Sequence, residues 1–300
     1  MLMPQSLYFN GSLYQKMCDD LQLTGKGRRT HDGYLREVRK LADHCRLPPD
    51  QITEQQMRRY FLHLKNERNF AAGSLTVTLS AFKFFFRITC PRDWITLEQL
   101  KVKGPKTLPE VITRRQVMSI LAACSTLRMK AFFRTLYSLG LRLDEGRCLR
   151  VGDIDADRGL VHVHRGKGAK DRYLPIAQGT VEVLREFWKT HRHPRLLFPA
   201  EGRDHRIDHS SDTAMAPTTP QDAMKKITRQ LNFRKKVSCH TLRHSYATHL
   251  FEAGVSLRSI QKWMGHSNLQ TTLQYLHITE TAEADARTTI ERLFGRDALA

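Results

Sequence analysis

The chain has 300 residues, enough for about two domains that each bury a core, and too many for a single small module. Lys and Arg outnumber Asp and Glu 49 to 30, a formal charge of +19 shared as 18 against 10 in residues 1–106 and 31 against 20 thereafter; this excludes a short basic tail on a neutral body and suits a polyanion met by both halves. The six cysteines show no C-x-x-C pair, and the most apolar stretch, Ala81 to Ile88, is broken by Lys83 and Arg87, so a reduced intracellular chain is expected, with no disulfide framework, cysteine zinc site or membrane insertion.

The first hundred residues read as helices, with apolar positions recurring at three and four. In Thr53-Glu54-Gln55-Gln56 the threonine is placed to cap a helix and Gln56 to reach back to it. Met57, Phe61 and Leu64 form one stripe, and Arg58, Arg59, Lys65 and Arg68 occupy the other face. A further helix is expected from near Ser74, burying Leu75, Leu79, Phe82 and Phe86 as core and leaving Lys83 and Arg87 at its edge for DNA. Between Lys101 and Pro109, two prolines, a glycine and the lysines Lys101, Lys103 and Lys106 mark a linker. The expected division is a helical domain over 8–102, a linker over 103–108 and a second domain over 109–300, with Lys101 and Lys103 as DNA contacts.

Thr113-Arg114-Arg115-Gln116 repeats the capping pattern and opens helices that run to about Val151. The period then changes. Leu160 to His164 alternates and Tyr173 to Ile176 follows a glycine-bearing stretch, predicting a two-stranded hairpin in which Pro175 confines its strand to an edge. Helix resumes near Gln178 and again at Thr219-Pro220-Gln221-Asp222. Residues 199–218 lack periodicity and read as a disordered loop whose Arg203, His205, Arg206 and His209 are free to meet DNA. The predicted fold class is therefore mainly α with a small antiparallel β-sheet in the second domain.

Three segments carry chemistry: Gly140-Leu141-Arg142-Leu143-Asp144-Glu145, His240-Thr241-Leu242-Arg243-His244, and Met264-Gly265-His266-Ser267 with Tyr275 nine residues beyond His266. In this order the chain resembles the tyrosine recombinase (phage integrase) family, including its Xer-type and integron-type members, over nearly its whole length. The resemblance places Arg142, His240, Arg243, His266 and the nucleophile Tyr275 in the active site. It assigns a hairpin lysine to Lys167 of Arg165-Gly166-Lys167-Gly168-Ala169-Lys170, with Lys170 second, and a supporting acid to Glu145. The chain departs from the family at Asp144, where Ser or Thr is common, at Gly146 for Leu, and at Cys239 for Pro. The implied fold is that of the DNA breaking–rejoining enzymes, with an N-terminal SAM-like core-binding domain and the two domains clamped on a duplex.

The physical logic stands beside the family. In-line attack on a phosphodiester puts charge on the nonbridging oxygens, which planar guanidinium forks at Arg142 and Arg243 match. His240 and His266 can add hydrogen bonds, and either can take the nucleophile's proton. A phenol with a pKa of about 10 needs such cations to favour its phenolate. The departing oxygen needs a proton, the role the resemblance assigns to Lys167, while Glu145 is placed to orient a cation or histidine. Lys170 and Arg172 read as phosphate contacts or solvated charges, and the helical neighbours of Tyr246 mark it as buried rather than nucleophilic.

The arginines and lysine supply the positive charge that a metal would, so neither metal nor other cofactor is expected. The implied enzyme is a cytoplasmic, nucleoid-associated site-specific recombinase acting on double-stranded DNA through a 3′-phosphotyrosine, a homotetramer on paired sites built through a segment near Glu280 to Phe294. The rival readings are a type IB topoisomerase-like relaxing enzyme and a DNA-binding regulator with a silent site.

Overall fold

The computed structural model describes residues 6–102, 104, 109–164, 171–202, 207, 209, 210, 212–266 and 272. The chain forms two compact units, Met1–Lys106 and Thr107–Ala300.

The first unit is helical: α1 (Gly11–Leu23), α2 (Arg28–Cys45), α3 (Glu54–Asn66), α4 (Ala72–Phe84) and the short α5 (Ile95–Gln99). Thr53 caps α3 as expected, its hydroxyl accepting the Gln56 N–H while the Gln56 side chain accepts the Thr53 N–H at 2.9 Å. Met57, Phe61 and Leu64 enter the core with Tyr60, which the stripe read from sequence omits. The helix expected from Ser74 starts at Ala72 and runs on through a π-helical turn, Phe85–Thr89. Phe82, Phe85 and Phe86 are wholly buried, confirming their aromatics as core. Lys83 is half-buried, Lys101 is exposed, and the exposed Arg87 pairs with Glu98 at 3.0 Å.

In the second unit Thr113 and Gln116 build the same capping box on α6 (Arg114–Ala122). There follow α7 (Leu127–Leu139), α8 (Leu143–Arg147), β1 (Ile154–Asp155), β2 (Leu160–Val163), β3 (Arg172–Pro175), α9 (Gln178–His191), α10 (Thr218–Gln230), α11 (Cys239–Glu252) and α12 (Leu257–Met264). The strands form one antiparallel sheet in the order β1-β2-β3, with Leu160 opposite Pro175 and Val163 opposite Arg172. Pro175 thus lies on an edge strand, where its missing N–H costs the ladder nothing. The core is built on Phe132, Phe133, Leu136, Phe198 and Leu242, and a smaller cluster of Tyr246, Ala247, Ile260 and Met264 joins α11 to α12.

The expectation of disorder over 199–218 needs correction at 199–202 and 212–218, which the structure describes. Ala200 donates to the Thr213 carbonyl at 2.7 Å and Met215 to that of Phe198 at 2.8 Å, while Arg128 reaches the Pro199 carbonyl and pairs with Glu201. His209 stacks on the buried His193, 6.0 Å between centroids. Arg203, His205 and Arg206 lie outside the described residues. No helix among the described residues is long and apolar enough to cross a membrane, and the six cysteines are free.

Candidate active site

The site begins where α7 ends. Gly140 takes the left-handed conformation, φ +59°, and a Cβ there would lie 2.3 Å from the Tyr246 ring, so the turn demands glycine for its backbone and for its neighbour alike. Leu141 is buried beyond it, and Arg142 enters α8 with its backbone N–H donated to Glu145 Oε2 at 2.8 Å. The Arg142 guanidinium reaches Glu145 Oε1 at 2.8 Å and the Gly265 carbonyl at 3.1 Å. Gly146, the departure from a usual leucine, lies where a Cβ would stand 2.6 Å from the end of the Leu136 side chain, so a larger residue there requires Leu136 to move.

Arg243 is 1% exposed on α11, a helix capped by Ser238 and Thr241 in a reciprocal box. Its guanidinium donates to the carbonyls of Gly140 and Met264 and meets His266 Nε2 at 3.2 Å. Two helix ends thereby hold one cation, since Gly140 closes α7 and Met264 closes α12. Cys239, where the family favours proline, is buried in the first turn of α11 with its thiol toward the Pro220 carbonyl at 3.6 Å.

Arg172 is not a solvated charge, one of the two readings the sequence offers for it. It is 9% exposed, forks onto both Glu145 oxygens at 3.0 and 2.8 Å, and donates Nε to the Trp263 carbonyl at 2.8 Å. Its strand alternates inward and outward, and Arg172 shares the inward parity of Leu174. That parity was the available signal, obscured by the basic residues around it.

Glu145 is the carboxylate on which these cations converge: Arg142 and Arg172 bond it, and Arg243 stands 3.9 Å away. Burial alone would raise its pKa, but the hydrogen bonds and charge of Arg172, with those of Arg142, hold it down to about 2. Three guanidinium groups against one carboxylate leave a local surplus of positive charge, the electrostatic condition for holding an anion.

The histidines are held neutral. Burial, then the charges of Arg243 and Arg142, push His266 down to about 3. Its Nε2 faces the Arg243 donor, which leaves Nδ1 to donate to Thr272 Oγ1 at 2.9 Å. His240 sits in the first turn of α11, open on one side, and desolvation by the surrounding chain followed by Arg243 and Arg142 lowers it as well. His244 packs edge-on to His240 at 4.6 Å and is lowered to about 4 by burial and then by His240 and Arg243. Tyr246 is buried and its phenol is raised to about 12 by desolvation, which disfavours the phenolate that a nucleophile needs.

The structure thus brings together Arg142, Glu145, Arg172, His240, Arg243 and His266. Lys167, Lys170, Lys103, Tyr275 and the segment near Glu280 to Phe294 lie outside the described residues.

Known proteins align with the chain on both units. The profile of the phage integrase family matches residues 110–282, and that of the phage integrase N-terminal SAM-like domain matches residues 13–96. A putative integrase/recombinase of Sinorhizobium fredii is 35% identical over 89% of this chain and 84% of its own length. The tyrosine recombinase XerA of Thermococcus onnurineus is 33% identical over 86% and 88%. Among solved structures, the Tn1549 transposon integrase in complex with circular intermediate DNA shares the fold with a TM-score of 0.70 at 19% identity, over 94% of this chain and 99% of that one. The chain belongs to the phage integrase family of tyrosine recombinases.

Proposed function

We propose that this recombinase cleaves and rejoins double-stranded DNA at specific sites through a 3′-phosphotyrosine on Tyr275, in integration, excision, resolution or transposition of DNA. The observation that carries the reading is the cluster of Arg142, Arg172 and Arg243 around the single carboxylate Glu145, a cationic surplus held in a water-poor setting. Arg142 and Arg243 grip the nonbridging oxygens of the scissile phosphate, where a planar fork outperforms an ammonium group. Arg172 and Glu145 act as positioning residues that hold Arg142. His240, neutral near pH 7 and open on one side, is able to accept the Tyr275 proton, His266 keeps its Nε2 toward Arg243, and Lys167 protonates the departing 5′ oxygen. The phosphotyrosine keeps the energy of the broken bond, so rejoining needs no nucleotide.

The first unit contributes sequence-independent phosphate contacts from Lys83, Lys101 and Lys103, with Lys170 adding one from the second. Exchange takes place in a homotetramer on paired sites, and the protein acts in the cytoplasm on the nucleoid.

A nicked half-site duplex that traps the covalent intermediate tests the reading. The parent chain is expected to form a protein–DNA adduct, and Tyr275→Phe to form none while retaining DNA binding. An adduct that survives the substitution refutes the nucleophile, and relaxation of supercoils without exchange between two sites would favour a type IB topoisomerase.

A further inference from the structure

The outer face of the β2–β3 hairpin gathers titratable groups that strand transfer does not use. His162 lies in β2 and His164 just past its end, two residues on, with Asp171 immediately before β3. One donor atom from each lies within 4.8 Å of the other two. His162 Nε2 stands 3.2 Å and His164 Nδ1 3.7 Å from the same Asp171 oxygen, Oδ2. A tetrahedral centre with bonds of about 2.0–2.2 Å has edges of about 3.3–3.6 Å between its ligands, close to the two distances to Asp171, and the third edge is within 4.8 Å.

A second feature orients the set. The other nitrogen of His164, Nε2, lies 2.7 Å from Oδ1 of Asp153, a carboxylate whose side chain is 7% exposed and whose Oδ2 accepts the Arg150 N–H at 2.8 Å. With Nε2–H donating to Asp153, His164 turns Nδ1 toward Asp171, the carboxylate–histidine arrangement that aims metal ligands. The Tyr173 ring stacks on His162 at 4.6 Å and 11°, fixing the second imidazole. A shallow cleft lined by Asp155, Arg158 and Tyr173 borders His162 and gives solvent access.

We propose that His162, His164 and Asp171 bind a divalent transition-metal cation of the zinc type, with Asp153 orienting His164. Two imidazoles and one carboxylate select zinc, cobalt, nickel or copper over magnesium and calcium, and three protein ligands leave an outward position for water. The cation would join the end of β2 to the start of β3, closing both ends of residues 165–170. Bracing the segment that carries Lys167 is a consequence that rests on the proposed reaction, whereas the site itself does not.

The test is titration of the metal-depleted full chain with Zn²⁺ by calorimetry and with Co²⁺ by absorption. One equivalent is expected to bind, with cobalt bands of nitrogen–oxygen type and none of the charge-transfer absorption that a cysteine ligand would give. Asp171→Asn and His164→Gln are expected to weaken binding more than about tenfold, and Asp153→Asn about 10–100-fold, as loss of an orienting partner does. Circular dichroism checks that each variant folds. Absence of saturable binding to the parent chain, or binding unchanged in both Asp171→Asn and His164→Gln, would overturn the proposal. Tyr275→Phe should bind the metal like the parent, so failure here and failure of the DNA adduct are read separately.

Discussion

Glu37 in the first unit and Glu145 in the second are both buried carboxylates facing cations, yet they solve different problems. Glu37 receives Arg36 at 3.2 Å and Lys40 at 3.1 Å on one oxygen and the Thr78 hydroxyl at 3.0 Å on the other, and both of its cations have side chains 43% exposed. Water shares in their solvation. Around Glu145 the side chains of Arg142, Arg172 and Arg243 are 25%, 8% and 2% exposed, so most of their charge has only protein to answer it. A carboxylate matched by half-solvated cations ties one helix to another. One outnumbered by enclosed cations leaves room for a further anion.

The comparison can be broken in graded steps. Glu145→Ala strips the enclosed arginines of their partner and is expected to cost about 3–5 kcal/mol in urea unfolding of the second unit, against about 1–2 kcal/mol for Glu37→Ala, whose cations can rehydrate. Equal costs would erase the distinction.

Acid offers a second break. Unfolded histidines take up protons below about pH 6.5, whereas His191, His244 and His266 stay neutral down to about 4, 4 and 3, chiefly because they are buried. The unfolded state therefore binds more protons in this window, and stability falls as pH drops from about 6.5 toward 4. Discounted for solvent screening, each histidine contributes on the order of 1 kcal/mol by pH 5. The first unit has only His44 lowered in the same way among its described residues. Thermal melts at pH 7 and 5 should show the second unit losing more.

Gly140→Ala forces a side chain onto Tyr246 in a left-handed turn and is expected to cost about 2–3 kcal/mol, measured by chemical denaturation. The smallest effects belong to the caps. Thr53→Ala and Thr113→Ala should each cost about 1 kcal/mol, one in each unit, and a change of similar size at both would show that the units differ in their buried charge and not in their helix ends.

What the sequence could disclose follows the range of the interactions. Capping boxes at Thr53 and Thr113 and the β2–β3 alternation are local, so neighbouring residues announce them. The two-residue strand β1 is too short to show a period, and the ordering of 199–202 and 212–215 depends on Arg128, far away in the chain, and on pairing between the two ends of the segment. The motif order pointed to Arg142, Glu145, His240, Arg243 and His266, whose geometry the fold supplies. The burial of Arg172 is hidden in the sequence because a basic residue near Lys170 looks solvated until strand parity turns it inward.

The carbonyls that hold Arg243 come from the closing residues of two helices, and Gly265, which ends the second of them, holds Arg142. These are neutral dipoles in a buried setting, which dissolved ions reach poorly, whereas a grip on DNA phosphates weakens steeply as salt displaces it. Raising ionic strength should therefore release the nucleic acid while leaving the aim of both guanidinium groups intact: the site is cocked before its substrate arrives, and salt governs only the arrival.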